Sequence, residues 1–271
     1  PLVLTLHDII FLEPRQGGNR SWYQNMGWYY RRMVVPRILS QCEKIITVSH
    51  FECNRIREAL QLPKDKITAI YNGYSEHFRP LSETLSITRK YIDDDDYIFF
   101  LGNTDPKKNV ARTLKAYSLY LKQSDKKRPL LIADLSKDKL DAILREQQIE
   151  EIKPYLSYPG YIPNKDLAYL YNGAFVFLYT SLRESFGIPM LEAMACGTPV
   201  ITGNTSAMPE IAGEGGILVN SLNAKEIAEK ILYLEQDQIF YQNQIKYGLN
   251  RVQKFSWAQT AENLLSLYKT I

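Results

Sequence analysis

The stretch from Ser181 to Gly203, S-L-R-E-S-F-G-I-P-M-L-E-A-M-A-C-G-T-P-V-I-T-G, admits few folds. Pro189 suits the first position of a helix, where its fixed φ helps and its missing N–H costs nothing. Gly197 followed by Pro199 stops that helix, and the β-branched residues from Val200 to Thr202 then favour a strand. Ser185, Phe186, Gly187 and Ile188 therefore sit at a helix N-terminus, whose free N–H groups and positive dipole end form a ready anion site. Gly187 lets a ligand approach the backbone closely. Glu184 lies in the loop before the helix. Glu192 lies about one turn inside it, and helical side chains lean back toward the N-terminus. Both carboxylates accept hydrogen bonds, so hydroxyl groups are natural partners. A phosphate flanked by sugar hydroxyls is the chemistry of a nucleotide sugar. The same spacing also suits a capped core helix with two surface glutamates, and spacing alone does not separate the two.

The rest of the chain repeats the pattern of a short apolar run followed by a helical stretch. Runs at Leu2–Leu6, Ile45–Val48, Ile67–Ile70, Tyr97–Leu101, Leu130–Ala133, Leu156–Gly160 and Ala174–Thr180 read as strands. Helices are expected at about 50–60, 110–122 and 137–148, and three more at about 224–236, 238–254 and 256–268. Such alternation predicts an α/β fold of parallel sheets with helices on both faces. Ligands of such sheets bind beyond the carboxyl ends of the strands. His7 and Asp8 close the first strand at such an end; His7 suits a ligand or a hydrogen-bonded turn, and Asp8 suits orienting the loop. Ser49 is a good N-cap. The fourth strand ends in G-N-T-D-P-K-K-N-V, where Gly102, Asn103, Lys107 and Lys108 form a turn suited to phosphate, lysine being a compact point charge. Gly160, Tyr161 and Ile162 follow another strand; the Tyr161 ring suits stacking on a base or a place in the core. Thr205, Ser206 and Ala207 are expected to line the cleft near the phosphates, with Glu210 supporting that loop.

Composition narrows the function classes. A formal net charge of +3 gives no argument for nucleic acid, and Cys42, Cys53 and Cys196 show no metal-ligand spacing. Scattered cysteines fit a reduced, cytoplasmic setting. No apolar run is long enough to span a bilayer, and there is no signal-peptide pattern. The four aspartates Asp93–Asp96 read as a solvated run rather than a metal site. Between Gly17 and Arg37, Trp22, Trp28, Tyr29 and Tyr30 lie among Arg31, Arg32 and Arg37. That mixture suits an amphipathic helix packed on the sheet, or a surface that meets anionic lipid.

Glu184-x7-Glu192, set in F-G-I-P-M-L-E-A-M-A-C-G-T-P-V-I, resembles the donor site of the retaining glycosyltransferases of family 4, which have the GT-B fold. The I-T-V-S turn at Ser49, the Asn72-Gly73 segment and Lys108, six residues after Gly102, extend the likeness over nearly the whole chain. The resemblance implies two Rossmann-like domains with parallel sheets facing a cleft, the first incomplete. Residues 1–85 would be the end of the acceptor-side domain and 86–254 the nucleotide-sugar domain. Residues 255–271 would form a helix crossing back, packed through Phe255, Trp257, Leu264, Leu265 and Tyr268. It further implies hexosyl transfer with retention, no metal ion, and UDP- or GDP-sugar as donor. The acceptor would be a saccharide, lipid-linked or not. By the same resemblance His7, Glu184 and Lys108 are catalytic. Glu184 would hold the donor sugar's hydroxyls, Glu192 the ribose, Lys108 and the Phe186–Ile188 amides the diphosphate, and Gly160–Ile162 the base. The chain departs from the family at Asn103, where arginine is frequent, and shows no glycine-rich loop of the first domain. A nucleotide-sugar-binding module without turnover is the alternative.

Overall fold

The computed structural model describes residues 1–12, 22–103 and 105–271, the side chains of Gln24 and Asn25 excepted. Residues 17–21 of the aromatic–basic segment, and Thr104 of the lysine loop, lie outside them. The chain divides into two compact units, Pro1–Gly73 with Trp257–Ile271, and Tyr74–Ser256. The boundary stands at Gly73–Tyr74 rather than near residue 85. Residues 74–85 belong to the second unit because Phe78 is buried against the Tyr171 ring and Leu81 N–H donates to Asn172 Oδ1 at 2.8 Å.

In the first unit the strands β1 (Val3–Thr5), β2 (Lys44–Thr47) and β3 (Ile67–Ala69) form a parallel sheet in that order, with Leu4 opposite Ile45 and Ile46 opposite Thr68. Helix α1 (Trp22–Gln41) precedes β2, and α2 (His50–Leu60) follows it. Ser49 caps α2, its hydroxyl accepting from Glu52 N–H at 3.2 Å. Asp8 Oδ1 accepts from Ile10 N–H at 3.0 Å and so shapes the turn after β1.

Helix α1 is apolar on two opposite faces. Trp28, Val35 and the buried Leu39 pack into a core with Phe11, Ile45, Ile56 and Ile67. Trp22, Met26, Tyr29, Tyr30 and Met33 recur at helical spacing on the other face and are exposed. The helix carries three arginines and no acidic residue.

The second unit holds strands β4 (Tyr97–Leu101), β5 (Leu130–Ala133), β6 (Leu156–Gly160), β7 (Ala174–Tyr179), β8 (Val200–Gly203) and β9 (Gly216–Val219). A short α3 (Leu85–Thr88) comes before β4. Between and after the strands run α4 (Val110–Leu121), α5 (Lys137–Gln147), α6 (Asn164–Gly173), α7 (Ile188–Ala195), α8 (Met208–Ala212), α9 (Ala224–Gln236) and α10 (Gln238–Val252). The strands are nearly continuous apolar runs because both faces of the sheet are covered. Ile98, Phe100, Leu130, Ile132, Val176 and Leu178 meet Leu114, Ile227 and Ile231 on one face. On the other, Phe99 and Phe177 meet the Tyr171 ring edge to face, at 5.3 and 5.0 Å.

All pairs are parallel and the order is β6-β5-β4-β7-β8-β9. Numbered within the unit this is 3-2-1-4-5-6, the order of dinucleotide-binding sheets. Its switch point lies between β4 and β7, and sheets of this order bind ligands outside the carboxyl ends of the strands there.

The last helix, α11 (Trp257–Tyr268), groups with the first unit, where Thr260 Oγ1 donates to Tyr71 O at 2.7 Å. Its expected packing residues differ. Trp257, Leu265 and Tyr268 are exposed, and Phe255 is buried in the second unit beside Phe186, with ring centroids 5.9 Å apart. Among the described residues no helix is long and apolar enough to cross a membrane.

Candidate functional site

The switch point brings together the loops after β4, β7 and β8. Asp105 starts the β4 loop's final turn, its Oδ1 accepting from Lys107 N–H at 3.0 Å. Asn109 ends that turn in the left-handed conformation, φ 59°, which asparagine tolerates better than most residues. Its buried amide donates to Thr180 O at 3.1 Å and Ser221 O at 2.7 Å. One side chain thus ties the start of α4 to the ends of β7 and β9. Leu182 N–H donates to Lys107 O at 2.7 Å and locks the β7 loop against the lysine turn. These constraints bring Lys108 Nζ to 2.7 Å from Glu184 Oε1, with the two side chains only 17% and 12% exposed. Lys108 Nζ also stands 5.0 Å over the ring of Tyr179, the last residue of β7.

Helix α7 begins beside this pair. Gly187 is its N-cap at φ 102°, ψ 52°, and no side chain caps it. The positive φ calls for glycine; a Cβ there would stand 3.3 Å from Tyr179 Cε1 and 2.6 Å from Met190 Cε, the far end of a flexible side chain. The positive end of α7 is left open to an anion. Glu192, one turn in, is half-buried, and burial pushes its carboxyl up to about 7 against the Tyr171 hydroxyl, which donates to Oε2 at 3.4 Å. Burial, then the neighbouring carboxylates, raise the hydroxyls of Tyr171 and Tyr179 well above the tyrosine range. Cys196 is raised to about 12, by burial first and then by Glu192.

A cation, an open helix N-terminus and two sheltered carboxylates can take a diphosphate between two sets of hydroxyls. Residues 85–251 of the chain match the family described as glycosyl transferases group 1.

The chain belongs to that family.

Residues 1–77 match a second description, glycosyltransferase family 4. The O-antigen chain mannosyltransferase B of Escherichia coli is 29% identical over 273 residues, covering 99% of this chain and 70% of the relative. The serotype-specific mannosyltransferase WbdA of the same species is 28% identical over 270 residues, and this chain spans 32% of it. RfbU, an O-antigen chain mannosyltransferase of Salmonella typhimurium, is 26% identical over 237 residues, with 86% of this chain and 60% of the relative covered. Among solved structures, the sucrose-phosphate synthase of Thermosynechococcus elongatus superposes with TM-score 0.78 at 22% identity, over 99% of this chain and 67% of its own. Anabaena HepE, solved with UDP and glucose, gives 0.79 at 18%, over 100% and 72%. These likenesses show the GT-B fold.

In this group 1 glycosyltransferase, Lys108, Glu184, Ser185, Phe186, Gly187, Ile188 and Glu192 all stand at the switch point. The reading of Glu184 and Glu192 as surface glutamates does not hold, since neither is exposed. Gly102 lies at the end of β4, where a Cβ would press on Ile132 at 3.2 Å. Asn103 shapes the turn, its Oδ1 accepting from Asp105 N–H at 2.8 Å, and brings no charge where an arginine is frequent. Lys107 lies at the surface, its Nζ 3.9 Å from Asp105.

Gly160 ends β6, two strands from β4, and Tyr161 and Ile162 follow it. Gly160 has φ 80°, Ile162 is buried, and Tyr161 is 77% exposed, which removes the alternative of a core tyrosine. His7 is exposed at the carboxyl end of β1, in the first unit. The acidic run Asp93–Asp96 is engaged with arginines, Asp95 with Arg89 at 2.8 Å and Asp96 with Arg128 at 2.5 Å.

Two contributors went unread in the sequence. Tyr179 looked like one more apolar strand residue. Asn109 carried a signal, an asparagine between a lysine turn and a helix, which is where a left-handed residue belongs.

Proposed function

We propose that this chain moves a hexose from GDP-mannose or a UDP-hexose to a saccharide or lipid-linked saccharide acceptor, in bacterial surface polysaccharide synthesis. The observation that carries the reading is the Lys108–Glu184 pair at the switch point, beside the open N-terminus of α7 and with Glu192 one turn away. The relatives' names, O-antigen chain mannosyltransferases, support the sugar and the product class.

The chemical problem is the leaving diphosphate, which gains charge as the glycosidic bond breaks. Preorganised positive groups aimed at developing charge supply the largest catalytic effect. Lys108 and the first amides of α7 would hold the diphosphate and take the place a metal ion has elsewhere. Glu184 would accept hydrogen bonds from the sugar and Glu192 from the ribose. Gly160, Tyr161 and Ile162 would meet the base. His7 keeps the sugar- or acceptor-side role that its family resemblance implies. The transfer retains anomeric configuration, which the anomeric NMR signal of the product reads directly, and chelator leaves its rate unchanged.

The deciding experiment is Glu184→Ala. Transfer is expected to fall by about 100-fold or more, in the range of a lost transition-state contact, with UDP or GDP affinity nearly unchanged. Full turnover in this variant would remove Glu184 from the site. Nucleotide binding without turnover by the unaltered protein would leave a binding module.

The exposed aromatic face of α1, with its arginines, supports peripheral contact with the inner face of the cytoplasmic membrane. Flotation with anionic vesicles should weaken when Arg31 and Arg32 become Glu; unchanged flotation rejects the contact.

A further inference from the structure

We propose that Ser206 is a positioning residue for Glu184, and that the turn at residues 205–207 sets where the Glu184 carboxylate stands. The inference rests on the reading of Glu184 as the residue that holds the transferred sugar. It comes from how the β7 loop is held. Ser206 Oγ accepts from Glu184 N–H at 3.0 Å, and Ala207 N–H donates to Glu184 O at 3.3 Å. Thr205 Oγ1 donates to Leu182 O at 3.1 Å. With Leu182 N–H on Lys107 O, the three residues Leu182–Glu184 are pinned on both sides, from the β4 loop and from the β8 loop.

The backbone of Ser206 argues for a task. It lies in the left-handed region, φ 54°, where a glycine would sit without strain. A glycine has no hydroxyl to offer Glu184 N–H, and that amide would lose its partner in a loop sheltered from water. Strain of this kind persists where the surroundings over-determine it, and it gathers at functional sites.

The clamp also acts where the ion pair cannot. Lys108 helps to hold the Glu184 carboxylate. A diphosphate competes for that lysine. Once Lys108 turns to phosphate, the hydrogen bonds from the 205–207 turn still fix the backbone from which Glu184 reaches the sugar. Ser206 would act through Glu184 rather than by touching sugar or phosphate.

The test compares Ser206→Ala, which deletes the hydroxyl and keeps the strain, with Ser206→Gly, which deletes both. The donor is whichever of GDP-mannose and UDP-glucose the unaltered enzyme turns over. Both variants are expected to lose about tenfold in kcat, since small misplacements of a reacting group are costly, with affinity for the free nucleotide within about twofold. Ser206→Ala combined with Glu184→Ala should be no slower than Glu184→Ala alone. Amide exchange at Glu184 N–H should speed up by about tenfold or more in both single variants. Unchanged kcat in Ser206→Ala, recovery in Ser206→Gly, or a loss that adds fully to that of Glu184→Ala would overturn the proposal. Exchange at Glu184 N–H reads the clamp without any turnover, and unchanged exchange also overturns it. Full activity in Glu184→Ala beside faster exchange in Ser206→Ala would instead keep the clamp and reject the sugar-holding role.

Discussion

The two ends of the six-stranded sheet use the same kinds of charge for opposite purposes. At the amino end, Arg128 precedes β5 with its side chain 5% exposed. It bonds Asp96 Oδ1 and Glu235 Oε2, each at 2.5 Å, and lies 3.7 Å over the Phe175 ring. Glu235 is saturated in turn by Tyr120 Oη at 2.8 Å and Ser124 Oγ at 2.9 Å. At the carboxyl end, Lys108 meets one carboxylate oxygen and a ring face, and Glu192 has one long hydrogen bond at 3.4 Å. A network centred on the buried Arg128 and the sheltered Glu235, with Asp96 at its exposed edge, is satisfied and rigidifies the fold. Sheltered groups with bonding capacity to spare are poised for a ligand. The difference between structural and functional charge lies here in saturation, not in burial.

That contrast can be broken from either side. The largest effect is expected from Arg128→Ala, which strands the buried Glu235 and should cost about 3–5 kcal/mol of stability in denaturant unfolding. Nucleotide affinity of the molecules still folded should stay the same; a matching loss of affinity would join the two ends into one system. Lys108→Ala should do the reverse. It removes a charge-assisted bond to phosphate, about 1.5–3 kcal/mol, seen as roughly 10- to 100-fold weaker UDP or GDP binding in calorimetry. Its stability should fall by less than that of Arg128→Ala, because Lys108 and Glu184 are 17% and 12% exposed against 5% and 9% for Arg128 and Glu235. Gly187→Ala comes last and sharpens the comparison. It forces a side chain into a left-handed cap, at about 1–3 kcal/mol, and should lower both the melting temperature and nucleotide affinity. An effect on stability alone would mean that the start of α7 does not meet the ligand.

How far the sequence reaches depends on how local the cause is. The strands from Tyr97 onward and the start of α7 at Gly187–Pro189 follow from apolar runs, glycine and proline, which act within a few residues. The location of the candidate site follows too, because Glu184 and Glu192 share one short segment. Contacts across long separations were not legible. Lys108 reaching Glu184, Asn109 bridging Thr180 and Ser221, and Ser206 holding Glu184 all depend on the order in which strands pair. The unit boundary was misplaced for the same reason, since Asn172 holds the segment around Leu81 from far along the chain. The segment of α1 left two readings open, packing or an exposed surface, because apolar residues on opposite sides cancel in any test for a one-sided helix.

Glu192 has a consequence for the energetics of substrate exchange. Its carboxyl is raised from 4.5 to about 7, with burial the main cause, so near neutrality it is about half protonated. In the proposed complex, ribose hydroxyls would donate to the ionised form and favour it. Nucleotide binding at pH 7 should therefore expel about half a proton per molecule, and departure of the spent nucleotide should take it back. The heat of binding would then differ between phosphate and Tris buffers, and Glu192→Gln would erase the difference. Each passage of donor through the proposed site would carry a small, measurable exchange of protons with the surrounding solution.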